Sequence, residues 1–159
     1  MKKILLVFLL WIGSLNIYPQ YNVDQPMSLI EVNGVSIAYT TTGEQENTPV
    51  LMIMGLMGSH KVWGEEIVNG LVDAGYRVIL FDNRDTGESE NLDRLGKPNL
   101  YWKFAMNSLG IDFSAPYTLS DMAQDGLGIL DYLGVEEAHI VGASMGGMIA
   151  QTLAYEHPE

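Results

Sequence analysis

The chain has 159 residues, a formal net charge of −12 and no cysteine. That length supplies one sizeable core, and the acidic balance speaks against nucleic acid as a partner, because holding phosphates needs an excess of Lys and Arg. Disulfides and thiolate chemistry are excluded, and an apolar fraction of 47% is that of a globular domain, not a disordered one.

Lys2 and Lys3 precede an apolar run from Ile4 to Ile12, followed by Gly13 and Ser14. A basic start before such a run reads as a secretory signal. The run is short of the roughly 20 apolar residues of a membrane span. No Ala-x-Ala pattern lies near Asn16 to Gln20, so the alternative to cleavage is a membrane tether through residues 4–12. In either case the expectation is an exported protein, periplasmic or extracellular, with residues 1–20 outside the fold. Residues 21–26 are polar, contain Pro26 and read as a linker to a domain over 27–159.

Met27 to Val32 and Val35 to Thr41 are strand-like, with Asn33-Gly34 between them as a hairpin signal. Pro49 to Met54 is a continuous apolar run bounded by turn residues, as in a strand buried on both faces. A glycine-containing loop follows, Gly55-Leu56-Met57-Gly58-Ser59. Val62 to Ala74 is expected to be helical, with Val62, Trp63, Ile67, Leu71 and Val72 on one side and Gly75 at its end. Tyr76 to Phe81 is a second buried strand, and Asp82 to Ser89 is the loop at its carboxyl end. Residues 90–117 carry Tyr101, Trp102, Phe104 and Phe113 and read as a surface excursion with one short helix. Thr118-Leu119-Ser120-Asp121 opens a helix with a capping box, and Gly134 closes it. Ala138 to Val141 is a short strand before a helical pattern from Met148 to Tyr155. Strands alternating with helices imply an α/β fold: a mostly parallel sheet with an N-terminal hairpin and flanking helices.

Between that last strand and helix stands Gly142-Ala143-Ser144-Met145-Gly146-Gly147. Gly-x-Ser-x-Gly at a strand-to-helix turn is the pattern of a nucleophile elbow. The turn is too sharp for side chains two residues before or after the serine, which accounts for Gly142 and Gly146. Ser144 is then the candidate nucleophile, with the Met145 amide facing a developing oxyanion. An idle serine in a tight turn is the bland alternative.

From about Ser28 to Glu159 the chain resembles the N-terminal half of an α/β-hydrolase-fold protein. The resemblance rests on four motifs in order: Ile53 to Gly58 as the oxyanion loop; Phe81 to Ser89 as an Asp-x-Arg-x-x-Gly-x-Ser loop; Tyr117 to Ala123 as a helix start; and His139 to Gln151 as the elbow and its helix. The combination is similar to the serine esterase branch that includes aclacinomycin methylesterase. It implies a small-molecule ester-like substrate, an acyl-enzyme on Ser144 and an oxyanion hole from the amides of Leu56 and Met145. Where many relatives have His-Gly in the oxyanion loop, this chain has Met54-Gly55. Backbone donors do not depend on that side chain.

The family order places an acid and then a histidine after the serine. The 15 residues after Ser144 hold no aspartate and one histidine, His157. Across a helix His157, like Glu156 and Glu159, lies on the order of 20 Å from Ser144. His139, upstream along the strand, lies roughly 16 Å away at the opposite end. His60 sits in a loop at the correct end. It is a candidate substitute base only if it reaches the serine, and is otherwise a solvated loop histidine. The chain therefore reads as a fragment or truncated gene product, with a nucleophile but an incomplete triad and little turnover of its own. The strand at 138–141 would be left as an open edge. A non-catalytic exported or anchored binding module on the same fold is the rival reading.

No cofactor or metal is expected. There is neither a Gly-x-Gly-x-x-Gly fingerprint nor a phosphate loop. A calcium reading of the Asp82 loop, with Gly87 and Asp93 at later positions, is opposed by Arg84 where an oxygen ligand belongs. The loop is expected to be solvated and tied down by Arg84. Met52, Met54, Met57, Met145 and Met148 follow buried elements and read as core filling.

Overall fold

A computed structural model describes residues 20–92 and 116–158. The apolar run at 4–12 and the aromatic stretch 93–115 lie outside the described residues. The elements in order are β1 (Ser28–Val32), β2 (Val35–Thr42), β3 (Thr48–Ile53), a 3₁₀ turn (His60–Trp63), α1 (Gly64–Asp73), β4 (Tyr76–Phe81), α2 (Leu119–Tyr132), β5 (His139–Gly142) and α3 (Met145–Glu156).

The five strands form one sheet in the order β1-β2-β4-β3-β5. β1 and β2 are the expected hairpin, with Ser28 opposite Tyr39 and Val32 opposite Val35. Asn33 and Gly34 turn it with φ of 49° and 73°, the two positive values a tight hairpin needs. β2 continues antiparallel onto β4. β4 with β3, and β3 with β5, are parallel. Among the described residues β5 pairs with β3 alone, and Val141 is 39% exposed.

Alternation along the central strands sorts side chains onto two faces. Leu51, Ile53, Ile79 and Phe81 join α2 and α3 in one buried cluster. Val50, Met52, Val78 and Leu80 form the other, beneath α1. A strand covered on both sides needs no polar face, which is why β3 is apolar from Pro49 and β4 from Val78 onward.

Two local expectations differ from the structure. The helix expected over 62–74 is divided, because Gly64 takes φ 72°, ψ 156° between the 3₁₀ turn and α1. With the register broken there, Val62 and Ile67 face out and Val68 faces in. Residues 21–26 are not a free tether. The Tyr21 main chain is held at both its N–H and its carbonyl by the Asn69 side chain. The Tyr21 ring is 2% exposed, under α1. Lys61 pairs with Asp24, and Gln25 donates to Thr40. At the helix ends the expectations hold. Thr118 and Asp121 form a complete capping box on α2. Gly134, at φ 64°, ends it with Val135 N–H on the Leu130 carbonyl.

Candidate active site

β3, β4 and β5 run parallel, so their carboxyl ends meet at one end of the sheet. In open α/β sheets this is the end where ligands bind. The loop after β3, the loop after β4 and the turn into α3 meet there.

Ser144 occupies that turn at φ 55°, ψ −122°. This is a left-handed value that a residue with a side chain holds only under compulsion. The compulsion is close packing. A Cβ on Gly142 would run into the Gly146 carbonyl, and one on Gly146 would run into the Ile53 carbonyl. The turn is also tied to β3, since Ala143 N–H donates to the Ile53 carbonyl at 3.0 Å. Ser144 is exposed. Met145 opens α3, so its N–H has no acceptor one turn back within the helix.

The loop after β3 lies directly against the serine. A Cβ on Gly55 would stand 2.9 Å from the Ser144 Cβ and 3.4 Å from its Oγ, so only glycine fits. Gly58 N–H donates to the Gly55 carbonyl at 3.2 Å, closing a turn with Leu56 and Met57 at its centre. Met57 takes φ 61°. The Leu56 N–H is not consumed by that hydrogen bond. Gly55 is thus packed on Ser144, with Leu56 next to it in the loop and Met145 next to Ser144 at the start of α3.

The titratable groups are arranged differently. His60 is no solvated loop histidine: it is 1% exposed. Its Nδ1 lies 2.9 Å from Asp82 Oδ1, and its Nε2 is buried without a partner. It therefore makes no hydrogen bond to Ser144 and does not act as its base in this arrangement. A carboxylate is acceptor only, which puts the ring proton on Nδ1. His139 is exposed at the start of β5, edge-on to Tyr76. His157 meets Gln124, and Glu156 accepts from Ser120, at the far end of α3. Among the described residues no histidine or carboxylate is hydrogen-bonded to Ser144.

The loop after β4 is equally unlike a solvated one. Asp82, Asn83, Arg84 and Ser89 are all buried. Asp82 Oδ2 accepts from Glu88 N–H at 2.9 Å. A Cβ on Gly87 (φ 57°) would collide with that carboxylate. Arg84 does tie the loop down, through two bonds of 2.7 and 2.6 Å to the oxygens of Asp125 on α2. Its guanidinium also lies over the Tyr117 ring at 5.2 Å. Burial lifts the Asp125 carboxyl, and the guanidinium offsets part of that lift. Asn83 donates to the Met54 carbonyl at 2.8 Å. These partners lie 22 to 41 residues apart in sequence. Their sequence trace is the Asp-x-Arg-x-x-Gly-x-Ser pattern after β4, which does not name the distant partners.

A cavity of about 610 Å³ lies between α2, α3 and the start of β5, lined by Leu127, Leu130, Val135, Ile140 and Leu153. It opens at the end of β5 away from Ser144, so it has no part in this site.

The alpha/beta hydrolase fold family matches residues 48–159. Rhodomycin D methylesterase of Streptomyces peucetius is 36% identical over 134 residues, which are 84% of this chain and 39% of that protein. A putative carbamate hydrolase of Variovorax paradoxus is 31% identical over 76% of this chain and 37% of its own length. Among solved structures, an enol-lactonase from Burkholderia xenovorans superposes with a TM-score of 0.64 at 26% identity, covering 82% of this chain and 42% of that one. The chain thus spans about 39% of the length of the curated relatives it matches.

Proposed function

This chain belongs to the α/β-hydrolase fold family, and we propose that it carries the nucleophile and oxyanion hole of a serine ester hydrolase acting on small-molecule esters. The observation behind this reading is the exposed Ser144, held at φ 55° at the mouth of α3 with Gly55 packed against it.

In the proposed reaction Ser144 Oγ bonds to the carbonyl carbon and its proton passes to a general base. The carbonyl oxygen takes up the electron pair and is met by the N–H groups of Leu56 and Met145. Collapse expels the alcohol and leaves an acyl-serine. Water then attacks that ester, releases the carboxylic acid and restores the hydroxyl. Backbone donors of this kind are worth about 10²- to 10³-fold in rate apiece. The base is not among the described residues bonded to Ser144. We assign it, with its acid, to the part of the relatives' length that this chain does not span. The 159 residues alone are then expected to turn over esters weakly or not at all. The methylesterase and carbamate hydrolase named above favour an ester or a related acyl group as the scissile bond.

A fluorophosphonate probe tests the reading, since it captures an activated serine. Labelling that maps to Ser144 and vanishes in Ser144→Ala supports the nucleophile and would place a base within these 159 residues. Labelling elsewhere, or ester hydrolysis that survives Ser144→Ala, sinks it. Export by residues 1–20 belongs to the same proposal. Recovery of the tagged chain in the cytosolic fraction alone would count against it.

A further inference from the structure

The loops after β3 and β4 are fastened together at two points, both supplied by adjacent residues just past β4. Asp82 Oδ1 accepts from the His60 main-chain N–H at 2.6 Å and from the His60 ring at 2.9 Å. Asn83, 2% exposed, donates its side-chain amide to the Met54 carbonyl at 2.8 Å. The segment from Met54 to His60 is therefore gripped at each end. Between the grips the side chains offer no anchor, because Leu56 is 72% and Met57 84% exposed.

The grip at Met54 matters most for direction. Its carbonyl belongs to the peptide that leads into Gly55, the residue packed on Ser144. A peptide is planar, so fixing the carbonyl fixes the whole unit. Only the dihedrals of Gly55 then separate that plane from the Leu56 N–H. Glycine is the residue least able to hold such dihedrals unaided.

We propose that Asn83 is a positioning residue, which holds the Met54 carbonyl and through it aims the Leu56 N–H at the oxyanion. This rests on the reading of Ser144 as nucleophile and Leu56 as oxyanion donor. Asn83 acts through the loop and takes no bond from the substrate. Its chemistry is specific: a primary amide supplies the N–H that a carbonyl needs, whereas an aspartate of the same shape would set an oxygen against that carbonyl.

The test compares the 159-residue chain with Asn83→Asp and Asn83→Leu. Amide hydrogen exchange is read over residues 54–58, and fluorophosphonate labelling of Ser144 is read as a rate. Circular dichroism checks folding first. Asn83→Asp, nearly isosteric, stands in if the leucine variant fails to fold. The expected result is exchange faster by about tenfold or more at 54–58, with β3 and β4 unchanged. Labelling should slow by up to about 10²-fold, the scale of a misplacement near 1 Å. Unchanged exchange at 54–58 overturns the proposal, and so does faster exchange with an unchanged labelling rate. If the unaltered chain does not label, the serine has no base within these 159 residues, as proposed above. Hydrogen exchange then decides alone whether Asn83 holds the loop.

Discussion

The Asp82 carboxylate grips His60 twice through a single oxygen, by the main-chain N–H at 2.6 Å and by ring Nδ1 at 2.9 Å. Burial pushes the Asp82 carboxyl up, but hydrogen bonds from the His60 ring, the His60 N–H and the Glu88 N–H outweigh it and hold the group below its ordinary value. A carboxyl depressed in the folded state binds fewer protons there than in the unfolded chain. Its stabilising contribution is full above the unfolded value of about 3.9. It is lost as pH falls through the lower folded value. Asp82→Asn is therefore expected to lower stability at pH 7 by about 1.5–3 kcal/mol, the range for a hydrogen bond to a charged group. It should also flatten the acid limb of the stability curve. Urea unfolding at pH 7 and in steps below pH 4 measures both. An acid limb as steep in the variant as in the parent would reject this account.

The strain at Ser144 predicts an opposite pairing of stability and function. A non-glycine residue held at φ 55° costs of order 1–3 kcal/mol. Ser144→Gly removes both the Cβ and the hydroxyl, so the variant should be more stable by about 1 kcal/mol and should not label. Ser144→Ala keeps the Cβ and should lose labelling without the gain. Thermal unfolding of the two variants side by side distinguishes them. Equal stabilities would mean that the turn is unstrained.

Both elbow glycines were readable in the sequence because their cause is local: the spacing about Ser144 states which side chains the turn forbids. The buried runs of β3 and β4, the Asn33-Gly34 hairpin and the Thr118 capping box were readable for the same reason. His60 was not, because its burial depends on Asp82, 22 residues away, and a loop histidine looks alike whether or not a carboxylate waits for it. The anchoring of Tyr21 is hidden for the same reason. A single aromatic in a polar stretch signals little until Asn69, 48 residues on, clamps its main chain. Arg84 was expected to tie its loop, but nothing local named Asp125 as the partner.

Tyr21 carries the next prediction. Its hydroxyl is buried without a partner, and burial, followed by the charge of Asp82, pushes its pKa up to about 12. A buried hydroxyl with no hydrogen bond costs about 1–3 kcal/mol of desolvation. Tyr21→Phe keeps the ring and removes that cost, so it should leave stability unchanged or raise it. The raised pKa has its own consequence. Tyr21 supports folding fully below the unfolded value near 10, and that support fades as pH rises through the folded value. The phenylalanine variant should therefore lose less stability between pH 10 and about 12. A loss above about 1 kcal/mol at pH 7 would mean that an ordered water satisfies the hydroxyl.

Arg84 and Asp125 separate what an ion pair adds from what its breakage costs. The side chains are 6% and 2% exposed and meet at 2.6 Å. Taking both charges from water offsets much of their attraction, so the pair contributes little beyond an apolar pair of the same size. Removing one partner is different, because the other charge stays buried. Arg84→Met strands the Asp125 carboxylate, leaving it the single side-chain bond from Asn33. The expected loss is about 3–5 kcal/mol. It should be smaller at low pH, where a carboxyl already lifted by burial takes up a proton and stops being a stranded charge. Adding Asp125→Leu to Arg84→Met should recover most of the loss at pH 7. The loop after β4 would then keep Asp82, Asn83 and its bonds to β2 through Ser89 and Glu90, so the double variant also tests whether the grip on the β3 loop is independent of the anchor to α2. Chemical denaturation of the two single variants and the double gives the coupling. A double variant no more stable than Arg84→Met would show that the pair holds the loop by geometry that apolar side chains do not replace.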